Sequence, residues 1–492
     1  MLTRRLLIQS GLAGTAMTAL PAIGRAQSPA PARPDDPVLV RTLLETLHPG
    51  LYRYLSPRAF DRAHRRFAAE WAADERLEAR YLALSRLLSQ IRCGHSYANF
   101  FNQSDAVVGA LFERPTRLPF AFRWIGDAMV VTANQSGAGG RTPVWLPVGS
   151  VIKAVDGVPV RRMLERLLPY VRVDGHNEGK ARSLLSVSGA DGIEFWDVFH
   201  GLLFGPPAGG MFNIHYRAPG TSSDVWANMP ALTLAERRSM MPPASDDRDA
   251  VQWQWTVRDD GIAVLRMDGW AVYNSRWDWQ AWLNERLDSL SGARGLIVDI
   301  RQNEGGLDCG DLILSRLATA PLPQPAGRRL VRYRSVPADL RPYLDTWDPG
   351  FFDWGEQAVP FDATRFELRR GAGDDGVMPD ARRLTVPVAV LTSAQNSSAT
   401  FQFALRMKRH RLGILVGEAT GGNQRGINGG AFFFARLPQS GIEFDVPLIG
   451  YFPDGPMPDA GVAPDIMAIP TPDDIAAGRD VALERAVAAL RR

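Results

Sequence analysis

Chemistry is concentrated in two short runs of this 492-residue chain. The first is Val388–Lys408, V-A-V-L-T-S-A-Q-N-S-S-A-T-F-Q-F-A-L-R-M-K. Val388, Val390 and Leu391 predict a buried strand. Ala394–Ala399 is too small and polar for core, and from Thr400 apolar residues recur at helical spacing (Phe401, Ala404, Leu405). A serine on this elbow sits at a helix N-terminus, where unpaired N–H groups and the helix dipole favour negative charge. Acyl transfer through a serine nucleophile needs such a place, because it builds an oxyanion. Ser, Thr and Asn are also the common helix N-caps, so the elbow taken alone reads first as a plain cap. The second run is Gly295–Gly306, G-L-I-V-D-I-R-Q-N-E-G-G. Leu296–Ile300 reads as a strand buried on both faces, as in a parallel sheet. Its adjacent glycines permit positive φ and outward-facing N–H groups. Two strands that each end in an anion-tolerant loop suggest one site at the strands' carboxyl ends.

Taken together, the runs resemble the tail-specific, or C-terminal processing, serine peptidase family, whose relatives include the tricorn core protease and a retinoid-binding protein. D-I-R-Q-N-E-G-G (Asp299–Gly306) resembles the family's D-L-R-x-N-x-G-G, and N-S-S-A-T-F (Asn396–Phe401) its S-A-S-A-S-E. L-V-G-E-A-T-G-G (Leu415–Gly422) and G-V-A-P-D-I (Gly461–Ile466) resemble V-G-E-x-T-x-G and G-I-x-P-D-I, in family order. The resemblance covers most of the chain from about Gly261 onward. It implies an α/β core of stacked ββα units, ClpP/crotonase-like, with Ser398 as nucleophile. Ser397 and Asn396 are then helix caps, and the oxyanion hole combines the Ala399 N–H with one from Gly305 or Gly306.

Many members use a lysine about 25 residues after the serine as base. Here that position is Asn423, and no lysine follows Lys408. Arginine cannot substitute, because it stays protonated. The tricorn-like branch uses a histidine from an earlier segment, and I-R-C-G-H-S-Y (Ile91–Tyr97) resembles that branch's D-G-H-T turn. The resemblance therefore makes His95 the base, with an ordinary pKa suited to neutral pH. Among the other histidines, His48 stands in a helix stop, His64 and His410 sit beside arginines on expected exposed helix faces, and His176, His200 and His215 match no motif. The branch also places a glutamate shortly before G-V-x-P-D-I. Here that stretch, Phe452–Gly461, contains no glutamate; Asp459 is nearest in place and Asp454 second. Either would orient His95, and both also fit ordinary turns. Glu418 is read as structural.

The outer limits come from composition. A formal charge of +3, spread without a basic stripe, gives no sign of a nucleic-acid partner. No spacing of metal ligands and no cofactor motif occurs. The N-terminus, M-L-T-R-R-L-L-I-Q, resembles a twin-arginine export signal cleaved after Ala26, which implies a periplasmic or secreted protein without a permanent membrane span. In that compartment Cys93 and Cys309 could pair or remain two buried thiols.

The chain divides into the signal (1–26), a disordered leader (27–36), an N-terminal helical subdomain (37–105) that delivers His95, and a module at 106–185. In the module, L-P-V-G-S-V-I-K-A-V-D-G-V-P-V (Leu146–Val160) resembles a PDZ hairpin. Such modules bind peptides as an added strand, and a plain spacer fits as well. Connecting strands and loops (186–252) precede a catalytic domain at 253–475, and a C-terminal helix (476–492) follows. Trp253–Met267 predicts a hairpin around Asp259-Asp260-Gly261, and Trp279–Leu290 an amphipathic helix with Trp282, Leu283 and Leu287 inward. The long insertion at 318–384 carries Tyr343, Trp347, Phe351, Phe352 and Trp354. It reads as an ordered lid or apolar subsite wall, with Trp347 and Phe352 as substrate contacts, or as a surface elaboration. Two functions remain: a serine endopeptidase acting on proteins or peptides, and a non-catalytic binder of peptide or apolar ligand on the same scaffold. Cleavage rule and assembly, a homo-oligomer included, are left open.

Overall fold

The computed structural model describes residues 34–135, 145–241, 247–323, 327–369 and 376–491. The export signal and most of the expected leader lie outside these residues. Asp36, expected to close the leader, instead opens a helix (Asp36–Leu47), and its buried carboxylate accepts the N–H groups of Gln439 (3.0 Å) and Ser440 (2.9 Å). Helices Pro57–Ala73 and Leu77–Gln90 follow, the first capped by Ser56, with Phe60, Phe67 and Trp71 turned inward at helical spacing. His64 lies on this inward side, buried against the Pro37 carbonyl at 2.8 Å, which corrects the expected exposure.

The strands of the described residues that follow form three six-stranded sheets. The first contains β1 (Phe120–Ile125), β2 (Ala128–Asn134), β3 (Val151–Val155), β4 (Val158–Pro159), β5 (Met211–Arg217) and β6 (Asp224–Pro230). It therefore draws in strands from the stretch expected to be only a connection, because β3 pairs with β5 along its free edge.

The chain continues through β7 (Gln254–Val257), β8 (Ile262–Arg266), β9 (Gly295–Asp299), β10 (Arg328–Val331), β11 (Leu344–Asp345), β12 (Ala358–Pro360), β13 (Phe366–Leu368), β14 (Val388–Thr392), β15 (Ile414–Gly417), β16 (Asn428–Arg436), β17 (Glu443–Phe452) and β18 (Ile466–Met467). One sheet has the order β18-β15-β14-β9-β8-β7, parallel apart from the β7–β8 hairpin. Every residue of β9 and β14 is buried. Leu296, Val298, Val388 and Val390 pack with helices Trp279–Asp288, Gly310–Leu317 and Ser398–Arg409. Ile297, Ala389 and Leu391 face helix Val481–Leu490 on the other side. The period-two alternation of strands thus feeds two separate cores.

The remaining sheet runs β11-β16-β17-β10-β13-β12. Four of its strands come from the expected insertion, so that segment is a sheet extension rather than a free lid. Its core merges with the N-terminal helices: Leu43, Leu84, Val331, Phe433 and Leu448 share one apolar cluster. Asp445 on β17 accepts from Asn99 (2.8 Å) and Asn102 (3.0 Å), which anchors the chain just after His95.

Candidate active site

The serine elbow and the glycine loop leave β14 and β9, adjacent parallel strands, at their carboxyl ends. Side chains then lash the two loops together. Asn396 Nδ2 donates to the carbonyls of Ile300 (2.5 Å) and Asn303 (3.0 Å), and Ser393 Oγ to that of Arg301 (2.5 Å). Thr400 Oγ1 also donates to the Asn303 carbonyl, at 3.0 Å. Asn396 is therefore a cross-brace rather than a cap. Ser397 occupies the N-cap position, but its hydroxyl donates to the Gln395 carbonyl at 3.1 Å instead of capping the helix.

Ser398 opens the helix with φ of +49°. A left-handed conformation costs a residue with a side chain about 1–2 kcal/mol, and such strain persists only where the surroundings fix it. Gly305 backs this serine closely: a Cβ there would lie 2.9 Å from Ser398 Cβ and 3.0 Å from Ala399 N. The N–H of Gly305 is already given to Asn303 Oδ1 at 2.9 Å. Gly306 has φ of +139°, and a Cβ there would meet the Trp270 carbonyl oxygen at 2.2 Å. Among the described residues, the N–H groups of Gly306 and Ala399 have no acceptor.

His95 reaches the same cleft from the turn after helix Leu77–Gln90. The cleft is about 520 Å³ and is lined by His95, Gly305, Gly306, Ser397, Ser398 and Phe432 among others. The imidazole lies against Phe432, with ring centroids 5.6 Å apart. Burial, then the cations Arg172 and Lys180, push its pKa down to about 3, with Glu304 opposing them. The ring is therefore neutral, the form a base requires. Among the described residues no hydrogen bond joins His95 to Ser398, and His95 Nδ1 is buried without a partner.

Asp459 is elsewhere. Its carboxylate takes the His176 Nδ1 at 2.7 Å, the His176 N–H at 3.1 Å and Asn423 Nδ2 at 2.7 Å. These bonds use both of its oxygens, so Asp459 is not the partner of His95; Asp454 is exposed. Asn423, in the place of the usual lysine, is buried and bound also to the Asp174 carbonyl at 3.1 Å. Glu418 pairs with Arg123, tying β15's end to the first sheet.

The two aromatic residues expected at the substrate separate by strand parity. Phe432 and Phe434 line the cleft, and Trp347 packs behind them at 5.9 and 6.1 Å. Phe352 lies tilted against Phe433, ring centroids 4.8 Å apart, on the opposite face of β16, and packs against the core. Both cysteines are free and buried, Cys93 among the helices and Cys309 beneath the parallel sheet.

Motif reading missed three charged residues. Glu304 lines the cleft beside Gly305, and it bonds Lys180 Nζ at 2.5 Å and Arg172 at 3.2 Å. Burial favours its protonation, but those two cations override it and hold the carboxyl well below its usual range. Glu304 stands inside a motif, which could have flagged it. Lys180 and Arg172 carried no signal, because nothing in V-R-V-D-G-H-N-E-G-K announces burial.

Residues 261–468 match Peptidase family S41. Over that stretch the chain carries the domain of the tail-specific or C-terminal processing serine peptidases. It is accordingly a serine-type peptidase, with protein substrates. Among solved structures, mature CPAF complexed with lactacystin aligns with a TM-score of 0.61 at 17% identity, covering 93% of this chain and 97% of that one. The cpaf s499a mutant aligns with a TM-score of 0.58 at 16% identity, covering 90% and 93%. At such identities the likeness shows a shared fold. No curated protein matches the chain. No helix among the described residues is long and apolar enough to cross a membrane.

Proposed function

We propose that this S41 peptidase is an exported endopeptidase of the tricorn-like, histidine-using kind, acting in the periplasm or outside the cell. Ser398 Oγ attacks the scissile carbonyl while His95 takes its proton. The N–H groups of Gly306 and Ala399 receive the oxyanion, since that of Gly305 is occupied. Collapse breaks the C–N bond, His95 returns the proton to the leaving amine, and an acyl ester remains on Ser398. Water, deprotonated by His95, then releases the acid and restores the serine. Phe432 and Phe434, with Trp347 behind them, form the apolar wall for substrate side chains. The first sheet serves as a PDZ-like module that adds a substrate strand.

The observation that carries this reading is the strained φ of Ser398 beside two unengaged N–H groups, in one cleft with a neutral histidine. Strain of this kind has no role in a cap. A fluorophosphonate probe tests it: label on Ser398 in folded protein, lost in Ser398→Ala and strongly reduced in His95→Ala, is the expected result. Undiminished labelling of His95→Ala removes the histidine as base.

A further inference from the structure

The extended stretch 171–177 and the start of helix Glu178–Leu184 carry buried charges that the reaction above does not use. Val171 and Val173 face the core, and the alternate residues Arg172 and Asp174 reach the His95 turn and the glycine loop. Arg172 donates to the Gly94 carbonyl, and Asp174 accepts the Gly94 N–H at 2.8 Å, so the peptide preceding His95 is gripped from both sides. Arg172 also bonds Glu304 Oε2 at 3.2 Å. Asn177 caps the short helix and presents Lys180, whose Nζ bonds Glu304 Oε1 at 2.5 Å and the Gln395 carbonyl of the serine elbow at 2.9 Å. A Cβ on Gly421 would stand 2.8 Å from Lys180 Cδ, so that motif glycine leaves room for the lysine stem.

These bonds form a continuous chain: His95 turn, Arg172, Glu304, Lys180, serine elbow. Lys180 is 1% exposed and Arg172 6% exposed, so neither ion is there for solubility. Two cations share one carboxylate in a place where an unpaired charge is costly. We infer that Arg172, Glu304 and Lys180 are positioning residues, a buried clasp that holds the histidine turn and the serine elbow in one catalytic register. The inference rests on the reading of Ser398 and His95 as the reacting pair. It assigns these three side chains no contact with the reacting atoms.

The test uses full-length Lys180→Met, Lys180→Arg, Glu304→Gln and the double variant K180M/E304Q, with circular dichroism at each pH. The charged groups that face His95 are Arg172 and Lys180 from the strap and Glu304 from the glycine loop; Asp174 lies under Gly94, and Phe432 faces the ring from β16. A positioning role predicts a kcat loss of about 100-fold in Lys180→Met with KM within about twofold, as for a misplacement of about 1 Å. Removing a cation also raises the His95 pKa, so the acid limb of the labelling rate moves to higher pH. In Glu304→Gln it moves to lower pH. Lys180→Arg restores most of kcat, and Lys180→Met, which leaves Glu304 paired with Arg172, folds even if Glu304→Gln or K180M/E304Q, which take the carboxylate from Arg172, do not. Wild-type kcat in folded Lys180→Met or in the double variant overturns the clasp. So does a loss with an unmoved acid limb, which marks a purely structural role. If wild-type protein shows no Ser398 label that depends on His95, the reaction assignment itself fails and the clasp falls with it.

Discussion

The serine half and the histidine half of this cleft are built by different means. Ser398, Ala399, Gly305 and Gly306 ride on the ends of two neighbouring parallel strands, and their loops are braced by Asn396, two residues before the helix opens, and by Thr400 in its first turn. Backbone geometry does most of this work. His95 sits on a turn from a helical segment about 300 residues earlier in the chain, and contacts from distant stretches fix it: Arg172, Asp174 and the Asn99–Asp445 bond, with the N–H groups of Gly175 and Asp445 on the carbonyls of Arg92 and Tyr97. A sheet-mounted nucleophile is rigid by construction. A histidine brought from another element depends on a buried polar network, which is stable only when every member is satisfied.

The sharpest way to break this comparison is at the nucleophile. Ser398→Ala should lower kcat by about a millionfold while leaving the unfolding midpoint nearly unchanged; residual hydrolysis at the wild-type level would place the chemistry elsewhere. Next, Gly306→Ala should cost a hundred- to thousand-fold in kcat, about the worth of one oxyanion donor, because its Cβ would collide with the Trp270 carbonyl. Urea unfolding should show an accompanying loss of about 1–3 kcal/mol from the positive φ alone.

The pH profile separates the halves in another way. A His95 pKa lowered to about 3 keeps the base neutral through mild acid. The sign is fixed: protonation inactivates, so a depressed value moves the acid limb down. The rate kcat/KM at pH 5 should stay within about twofold of its value at pH 7, whereas an unperturbed imidazole would lose about 25-fold. A limb near pH 6.5 would mean that the burial and the cations described here do not act on the ring.

Asn396→Ala removes the brace between the two strand-end loops and takes one of two donors from each of two carbonyls, leaving Ile300 only the Asn303 N–H and Asn303 only the Thr400 hydroxyl. It should cost about 1–3 kcal/mol in thermal or urea unfolding, with kcat reduced further than stability explains. The smallest effect is expected at Asp459→Asn. Its partners His176 and Asn423 lie away from the cleft, so labelling of Ser398 should persist at close to the wild-type rate. A collapse of labelling there would return Asp459 to the catalytic set.

Much of the serine half could be read from the chain. Leu296–Ile300 and Val388–Thr392 are apolar throughout, as strands covered on both faces must be, and Gly305-Gly306 and Ser398 follow them at fixed offsets. The hairpin around Gly261 and the helix with Leu283 and Leu287 inward follow from periodicity in the same way. Capping chemistry misled at Asn396 and Ser397, because the same side-chain groups that satisfy a helix end can brace a neighbouring loop. His64 beside arginines looked exposed, yet its turn of the helix faces Pro37. Phe432 and Phe433 were equally aromatic in sequence, and only the parity of β16 sent Phe433 toward the core, where it meets Phe352, and Phe432 toward the cleft.

By itself, then, the sequence determined what depends on neighbours along the chain: strand, turn and helix order, the serine elbow and the glycine loop, and the absence of a lysine at the usual spacing. Tertiary structure alone decided which distant charges meet. It buried Lys180 and Arg172 against Glu304, gave Asp459 to His176, and turned the insertion into sheet. The physical reason is range: local conformation is set by propensity and pattern, whereas burial of a charge depends on partners that no local spacing specifies.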